Sequence, residues 1–252
     1  TWSRLEGGTP IGKMVDRAIE SFDFKHPEKS IEALVHIHKA IEQLPTSIWK
    51  ERKLAATKQL LLDCAGVEIQ FNAERPYGVA GESLKINLNV VQQSKLAVEL
   101  ETIKTTEGIT QLDQGLETNK RFTQSFEVTL GNSISTPYWL LEKGSLGAFK
   151  IENKEWIGKP QTPNPIQIAY QLNIAGTSIA FEAAVLHRKT DPVRGEVINP
   201  FYIVPALGVT FEQPVFLYAN YEAQSLRLNV TSYGEAYEGA IKLCHPKGWE
   251  LD

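Results

Sequence analysis

The sequence predicts a mainly β protein with an N-terminal helical segment. Two observations lead to this prediction: apolar and polar residues alternate in short runs after residue 66, and Gly, Pro, Asn and Asp separate these runs. Clear runs cover residues 67–73, 84–90, 166–174 and 225–230. A period of two places one face of a strand on a core and the other in water, which is typical of antiparallel β-sandwiches.

Residues 1–66 have helical periodicity and form the predicted helical connector. The apolar faces belong to a helix that starts near Ile11, a second after Pro27 and a third that ends at Gly66, a residue favoured at a left-handed helix end. These stripes are too large for three short helices to bury among themselves. We therefore expect four of their side chains to pack on the first sandwich or on a neighbouring domain: Ile31, Leu34, Val35 and Ile41.

Residues 67–205 form the first predicted sandwich. Strands are expected near 67–73, 84–91, 96–103 and 122–130, then in a hairpin of 166–174 with 179–185, and at 201–204. The polar stretch 105–119 is predicted to be a loop, and 136–165 is irregular. Pro205 marks the boundary, because proline is excluded from central strands.

Residues 206–252 form the start of a second, incomplete sandwich. Its expected strands are 207–211, 215–218, 226–230 and 239–243. Four strands are too few for the seven of an immunoglobulin-like sandwich. The chain also lacks an initiator Met and a signal peptide, so we expect an internal piece of a longer polypeptide. The full prediction is antiparallel immunoglobulin-like β-sandwiches behind a helical segment.

The composition favours some function classes over others. A hydrophobic fraction of 42% is sufficient for a packed core, and the net charge of −4 comes without a basic patch, which argues against nucleic acid as a partner. No apolar run is long enough to predict a membrane span. The two cysteines, Cys64 and Cys244, are interpreted as buried thiols, because no framework of spaced cysteines accompanies them.

Two polar groupings are weak candidates for chemistry. His36 and His38 are two residues apart on a predicted helix, so their side chains diverge by about 200° and do not bind one metal ion. Asp191 and Glu196 are a possible acid pair, but no nucleophile accompanies them. We interpret them as parts of a turn in which Asp191 caps backbone amides and Arg188 or Arg194 pairs with a carboxylate. The sequence predicts no catalytic and no metal-binding residue.

Aromatic residues are the remaining candidates. An exposed ring can stack on a sugar, whereas a buried one fixes a sandwich edge or a domain interface, and we favour this architectural role. The candidates for carbohydrate or interface contacts are Tyr138, Trp139, Trp156 and Trp249.

Several short motifs resemble one known family. The chain is similar to the region downstream of the catalytic domain in long bacterial LmbE-like (PIG-L) deacetylases. The end of the chain also resembles the start of an immunoglobulin-like module associated with bacterial glycosidases, through residues 238–243 and 246–249. The motifs that carry the first resemblance are Trp2-Ser3-Arg4-Leu5-Glu6-Gly7-Gly8, Ser21-Phe22-Asp23, Cys64-Ala65-Gly66, Gly81-Glu82, Pro137-Tyr138-Trp139-Leu140, Ile157-Gly158, Asp191-Pro192-Val193 and Gly195-Glu196.

The resemblance implies a function for the parent protein. Family members are hydrolases that remove N-acetyl groups, typically from amino sugars, with a zinc ion held by an Ala-His-Pro-Asp-Asp motif and a later His. This chain departs from that motif, since His26-Pro27 precedes Glu28-Lys29 and His245-Pro246 precedes Lys247-Gly248. The implied zinc site and catalytic domain therefore lie upstream of Thr1, and no cofactor is expected in this segment.

The prediction is a noncatalytic accessory region that supports or positions its own upstream catalytic domain, which is the expected partner. A glycan is a further candidate partner. The alternatives are an independent carbohydrate-binding module and a purely structural spacer. The resemblance alone favours a periplasmic or secreted location.

Overall fold

The computed structural model describes residues 2–218 and 222–250. Three α-helices form the N-terminal segment: α1 (Gly8–Glu20), α2 (Ile31–Glu42) and α3 (Ile48–Ala65). Short 3-10 helices span Trp2–Arg4 and Pro27–Ser30 in this segment, and Tyr138–Leu140 and Lys154–Trp156 further on. Strands dominate the remainder. The prediction of a mainly β protein with an N-terminal helical segment is therefore confirmed.

Capping residues explain where α3 begins and ends. The Ser47 hydroxyl accepts a hydrogen bond from the Lys50 N–H at 3.1 Å, which satisfies one of the free donors of the first turn. Gly66 ends the helix with φ +65°, and its N–H bonds back to the Asp63 and Leu62 carbonyls. Glycine adopts this left-handed conformation without strain, so the chain turns directly from α3 into the first strand, as predicted.

The strands of the described chain are numbered in sequence order. They are β1 (Val67–Ala73), β2 (Tyr77–Val79), β3 (Ser83–Gln92), β4 (Val98–Thr105), β5 (Gly108–Gly115), β6 (Arg121–Thr129), β7 (Gln167–Ile174), β8 (Thr177–Asp191), β9 (Gly195–Pro200), β10 (Tyr202–Val204), β11 (Leu207–Phe211) and β12 (Leu228–Ser232).

The largest sheet has the strand order β5-β4-β7-β8-β1-β3-β6, and β9 pairs with β8. Neighbouring strands in this sheet are antiparallel, except that β1 and β8 run parallel where Phe71 faces Val185. The sheet is therefore curled and mixed, not wholly antiparallel as predicted, because the end of β8 continues past β7 and lies beside β1. The predicted loop 105–119 contains strand β5, whose polar residues occupy an exposed sheet edge.

One apolar cluster joins the helices to the sheet. Leu88 of β3, Leu100 of β4 and Leu172 of β7 are fully buried in it, and so are side chains from α2 and α3. The expected packing of Ile31, Leu34 and Val35 on the sheet is confirmed. Ile41 instead packs among the helices with Ile11, Ile37 and Leu44 in a second, smaller cluster.

The region after Pro205 has less regular structure. β11 and β12 form a two-stranded antiparallel sheet, in which Val209 faces Val230. The predicted segments 215–218 and 239–243 are not strands, since neither finds a pairing partner among the described residues. Edge-on contact of the Tyr77 and Tyr233 rings, at 5.4 Å between centroids, joins this small sheet to β2.

Candidate functional site

Three of the four predicted aromatic residues come together in the irregular segment between β6 and β7. Tyr138 is buried, and its hydroxyl donates a hydrogen bond to the Lys159 carbonyl at 3.0 Å. The backbone N–H of Tyr138 donates to the Thr162 hydroxyl at 2.9 Å. The Tyr138 ring meets Trp139 edge-on at 5.0 Å and Trp156 at 6.1 Å. Tyr138 thus anchors both indoles.

Trp139 is half-buried and lines a surface cleft of about 160 Å³. Tyr202 of β10 lies in the same lining, with half of its side chain exposed. Gln161 and Asn164, which carry side-chain amides, also belong to the lining, and five lining residues are prolines. None of the described lining residues carries an ionised side chain at neutral pH.

Trp249 lies outside this group. It meets Tyr218 edge-on at 4.7 Å, and about half of its surface is exposed. The four predicted aromatics therefore divide into a cluster of three beside a cleft and one indole in the C-terminal region. Whether any of them contacts a carbohydrate or another domain stays a prediction.

Sequence reasoning missed the partners of Trp139 in the cleft. Tyr202 lies between Phe201 and Ile203, which are both buried, so its ring points to the opposite side of the strand. The alternation of side chains along strand 201–204 could have predicted that Tyr202 faces away from the core. Gln161 and Asn164 had none, because their positions depend on how the irregular segment folds against β10.

The two helical histidines occupy opposite faces of α2, as their spacing indicates. His36 is exposed, whereas His38 is buried with its Nε2 3.4 Å from a Glu42 carboxylate oxygen. Burial lowers the pKa of His38, and the nearby Glu42 charge opposes that shift. Within residues 2–218 and 222–250, no three His, Cys, Asp or Glu side chains are placed to share a metal ion.

Asp191 occupies the turn between β8 and β9 as predicted. Its Oδ1 accepts hydrogen bonds from the N–H groups of Val193 and Arg194 at 2.9 and 2.8 Å, and these bonds lower the pKa of the Asp191 carboxyl. Glu196 lies 3.6 Å from the Arg188 guanidinium. The groups make the bonds of a stable turn, with the carboxylates engaged by backbone and by arginine.

The two cysteines are both free. Cys64 is buried at the end of α3, and burial raises the pKa of its thiol. Cys244 is exposed, so the prediction that both thiols are buried is wrong for this residue. The segment that precedes it, 239–243, forms no strand that would cover it.

Comparison with known proteins gives little. No family model matches the chain, and no curated protein matches it. Among solved structures, the chain is similar to the Pseudomonas fluorescens alkylpurine DNA glycosylase AlkC bound to DNA containing an abasic site analog. The identity is 11%, the match covers 64% of this chain and 48% of that chain, and the TM-score is 0.22. This likeness carries no argument about fold or function.

Among the described residues, no helix combines the length and the apolar character that a membrane span requires. 

Proposed function

We propose that the chain is a noncatalytic accessory region of a multidomain LmbE-like N-acetyl sugar deacetylase, and that it supports or positions the catalytic domain. The proposal includes a zinc-dependent catalytic domain upstream, and a periplasmic or secreted location. The sequence resemblance is its source. The observation that supports it best is the shared core of the helical segment and the sheet.

Because of this shared core, α2 is held rigidly against the sheet. Ile31, Leu34 and Val35 of α2 lie in the same buried cluster as Phe71 of β1 and Tyr170 of β7. Moving α2 off the sheet would expose this apolar surface at a cost of about 25 cal/mol per Å². A domain attached through the helices would therefore keep a defined orientation to the sheet.

A group of exposed apolar side chains lies at the end of α1. Ile19, Phe22 and Phe24 are exposed by 69, 45 and 90%, and the two phenylalanine rings meet edge-on at 5.9 Å. We call these three residues the α1 patch. Exposed apolar groups that cluster in this way are typical of interaction surfaces, and we propose that the catalytic domain covers them.

The strand order supports an immunoglobulin-like interpretation of the large sheet. If the sheet is divided at the short parallel contact of β1 with β8, it yields the layers β1-β3-β6 and β5-β4-β7-β8. These layers correspond to the A-B-E and G-F-C-C′ strands of an immunoglobulin-like sandwich, with no counterpart of strand D among the described residues. We propose this fold for residues 67–205, and we propose that β11 and β12 begin a second sandwich.

The test compares this chain with the natural polypeptide that includes the residues encoded upstream of Thr1. We expect an Ala-His-Pro-Asp-Asp motif upstream, with tightly held zinc and deacetylation of N-acetylglucosamine substrates in the longer polypeptide alone. One tightly held zinc per molecule of this chain, measured by metal analysis, would contradict the proposal. So would an upstream sequence without that motif.

A second measurement separates positioning from a purely structural spacer. In the longer polypeptide, Phe24→Ser should increase the motion of the catalytic domain relative to this region, because it removes an exposed ring of the α1 patch. The matched control is Val193→Ser, which changes an equally exposed residue in the β8–β9 turn. Small-angle X-ray scattering measures the distribution of distances within the longer polypeptide. If Phe24→Ser broadens this distribution and Val193→Ser leaves it unchanged, the result supports positioning. Equal distributions for the two variants indicate a spacer.

A further inference from the structure

The cleft beside Trp139 has the composition of a small binding site. Trp139 is part of its lining and is held by its edge contact with Tyr138, whose hydroxyl donates a hydrogen bond to the Lys159 carbonyl. Tyr202 lies in the lining contributed by β10, which pairs with β2 through its backbone. Both rings are therefore attached to fixed structure, and each leaves part of its surface open.

The walls of the cleft are also fixed in advance. The Ser135 hydroxyl accepts a hydrogen bond from the Ile203 N–H at 2.9 Å, and the Ser135 N–H donates to the Ile203 carbonyl at 2.8 Å. These two bonds join the irregular segment to β10. Five prolines in the lining restrict the backbone further. A ligand would pay little conformational entropy for ordering such a site.

The polar groups of the lining that remain available are neutral: two side-chain amides and the Tyr202 hydroxyl. Gln161 and Asn164 line the cleft, and neither side chain hydrogen-bonds to another described residue. Each amide offers donors and an acceptor, which suits a ligand with several hydroxyl groups. With no ionised group in the described lining, nothing compensates a charged ligand.

From these features we propose that the cleft binds one neutral pyranose unit of a glycan, with the sugar face on Trp139 or Tyr202 and its hydroxyls on Gln161 and Asn164. The proposal is independent of the association with a deacetylase. The volume of about 160 Å³ is below the roughly 300–1,000 Å³ of a pocket for drug-sized ligands, which suits a single ring. A polyproline II peptide requires a longer groove with successive pockets, so we favour the sugar.

The experiment is isothermal titration calorimetry of the whole chain with neutral hexasaccharides: cellohexaose, xylohexaose, mannohexaose and chitohexaose. We expect at least one to bind with a dissociation constant of about 0.1–1 mM, the affinity of a few good contacts to one ring. Tyr202→Ala should weaken that binding roughly tenfold, because it removes one stacking surface. Trp249→Ala changes a half-exposed indole outside the cleft and should leave it unchanged.

Trp139→Ala should weaken binding to a similar degree, but it also removes a half-buried ring, so its thermal melt is recorded beside the titration. The double substitution Gln161→Ala with Asn164→Ala changes only side chains that make no hydrogen bond to another described residue, which keeps the test independent of folding. It should also weaken binding several-fold. The inference is overturned if no hexasaccharide binds at about 10 mM, a concentration well above the expected constant. It is overturned equally if binding survives both this double substitution and Tyr202→Ala, or if a proline-rich decapeptide binds the cleft in place of the sugars.

Discussion

Strands β3 and β11 have the same alternation of apolar and polar residues but opposite burial. In β3, the apolar side chains Leu84, Ile86, Leu88 and Val90 are at most 3% exposed. In β11, Leu207, Val209 and Phe211 are 42 to 52% exposed. Alternation therefore predicts that a segment forms a strand, but burial depends on whether another layer covers the apolar face.

The covering layers explain the difference. The large sheet curls, so that side chains of β3 share a core with those of β4 and β7, and α2 and α3 close the same core. The sheet of β11 and β12 has two strands, and no second layer from the described residues covers the face that contains Val209 and Val230. Two strands without a covering layer are only marginally stable, which makes the C-terminal region the weaker part of the molecule.

Substituting one phenylalanine in each sheet tests this comparison, and it has the largest expected effect on the free energy of unfolding. Phe71 in β1 is 1% exposed, and its ring contacts Tyr170 and Phe126. Phe71→Ala should lower the free energy of unfolding by about 3–5 kcal/mol, through lost burial and the cavity left behind. Phe211→Ala in β11 is the matched control: it removes a half-exposed ring and its edge-on contact with Phe216, and should cost about 1–2 kcal/mol. Urea denaturation measures both, and equal costs would contradict the difference between the two sheets.

The next test breaks the joint between the helices and the sheet. Ile31→Ala removes a buried side chain of α2 from the shared core and should destabilise the protein by about 3 kcal/mol. Ile19→Ala changes an exposed isoleucine of α1 and should have an effect below about 0.5 kcal/mol. Thermal and urea unfolding compare the two. If Ile31→Ala unfolds the helices alone and leaves the sheet intact, the two regions are not one cooperative unit.

A smaller effect is expected at the contact of the C-terminal sheet with β2. Tyr233→Ala removes the edge-on partner of Tyr77 and should cost about 1 kcal/mol, typical of one aromatic pair. Hydrogen exchange of the β12 amides should become faster, while that of β3 stays unchanged. Tyr237→Ala provides the control, since Tyr237 is exposed and its ring contacts no other aromatic ring of residues 2–218 and 222–250. Unchanged exchange in β12 would show that this contact does not hold the small sheet.

The pH dependence of His38 provides the most subtle test. Burial lowers the pKa of His38 in the folded state, so the unfolded chain binds more protons once the pH falls toward the usual histidine value of about 6.5. The stability that neutral His38 contributes is present above that value and is lost as the pH falls through it. His38→Gln, which carries no titrating group, should therefore show a shallower loss between neutral and mildly acidic pH. Parallel stability curves for the two proteins would contradict this assignment.

The predictable elements are those whose signal is local. The spacing of Ile31, Leu34 and Val35 predicts an amphipathic helix and its buried face, and Gly66 predicts where the last helix ends. The Asp191 turn is predicted for the same reason, because its hydrogen bonds join residues two and three positions apart. The polar strand β5 was missed, since an edge strand has no buried face to leave a pattern in the sequence.

The sequence by itself determined the mainly β class, the helical segment and the divergent faces of His36 and His38. It also identified the aromatic residues near 138 as candidates for a contact site. Each follows from interactions within a few positions along the chain. The tertiary structure decided that β1 runs parallel to β8, that the helices complete the core of the sheet, and that Tyr202 lies beside Trp139 in a cleft. These features join residues far apart in sequence, and their free energy depends on which surfaces meet when the chain closes on itself.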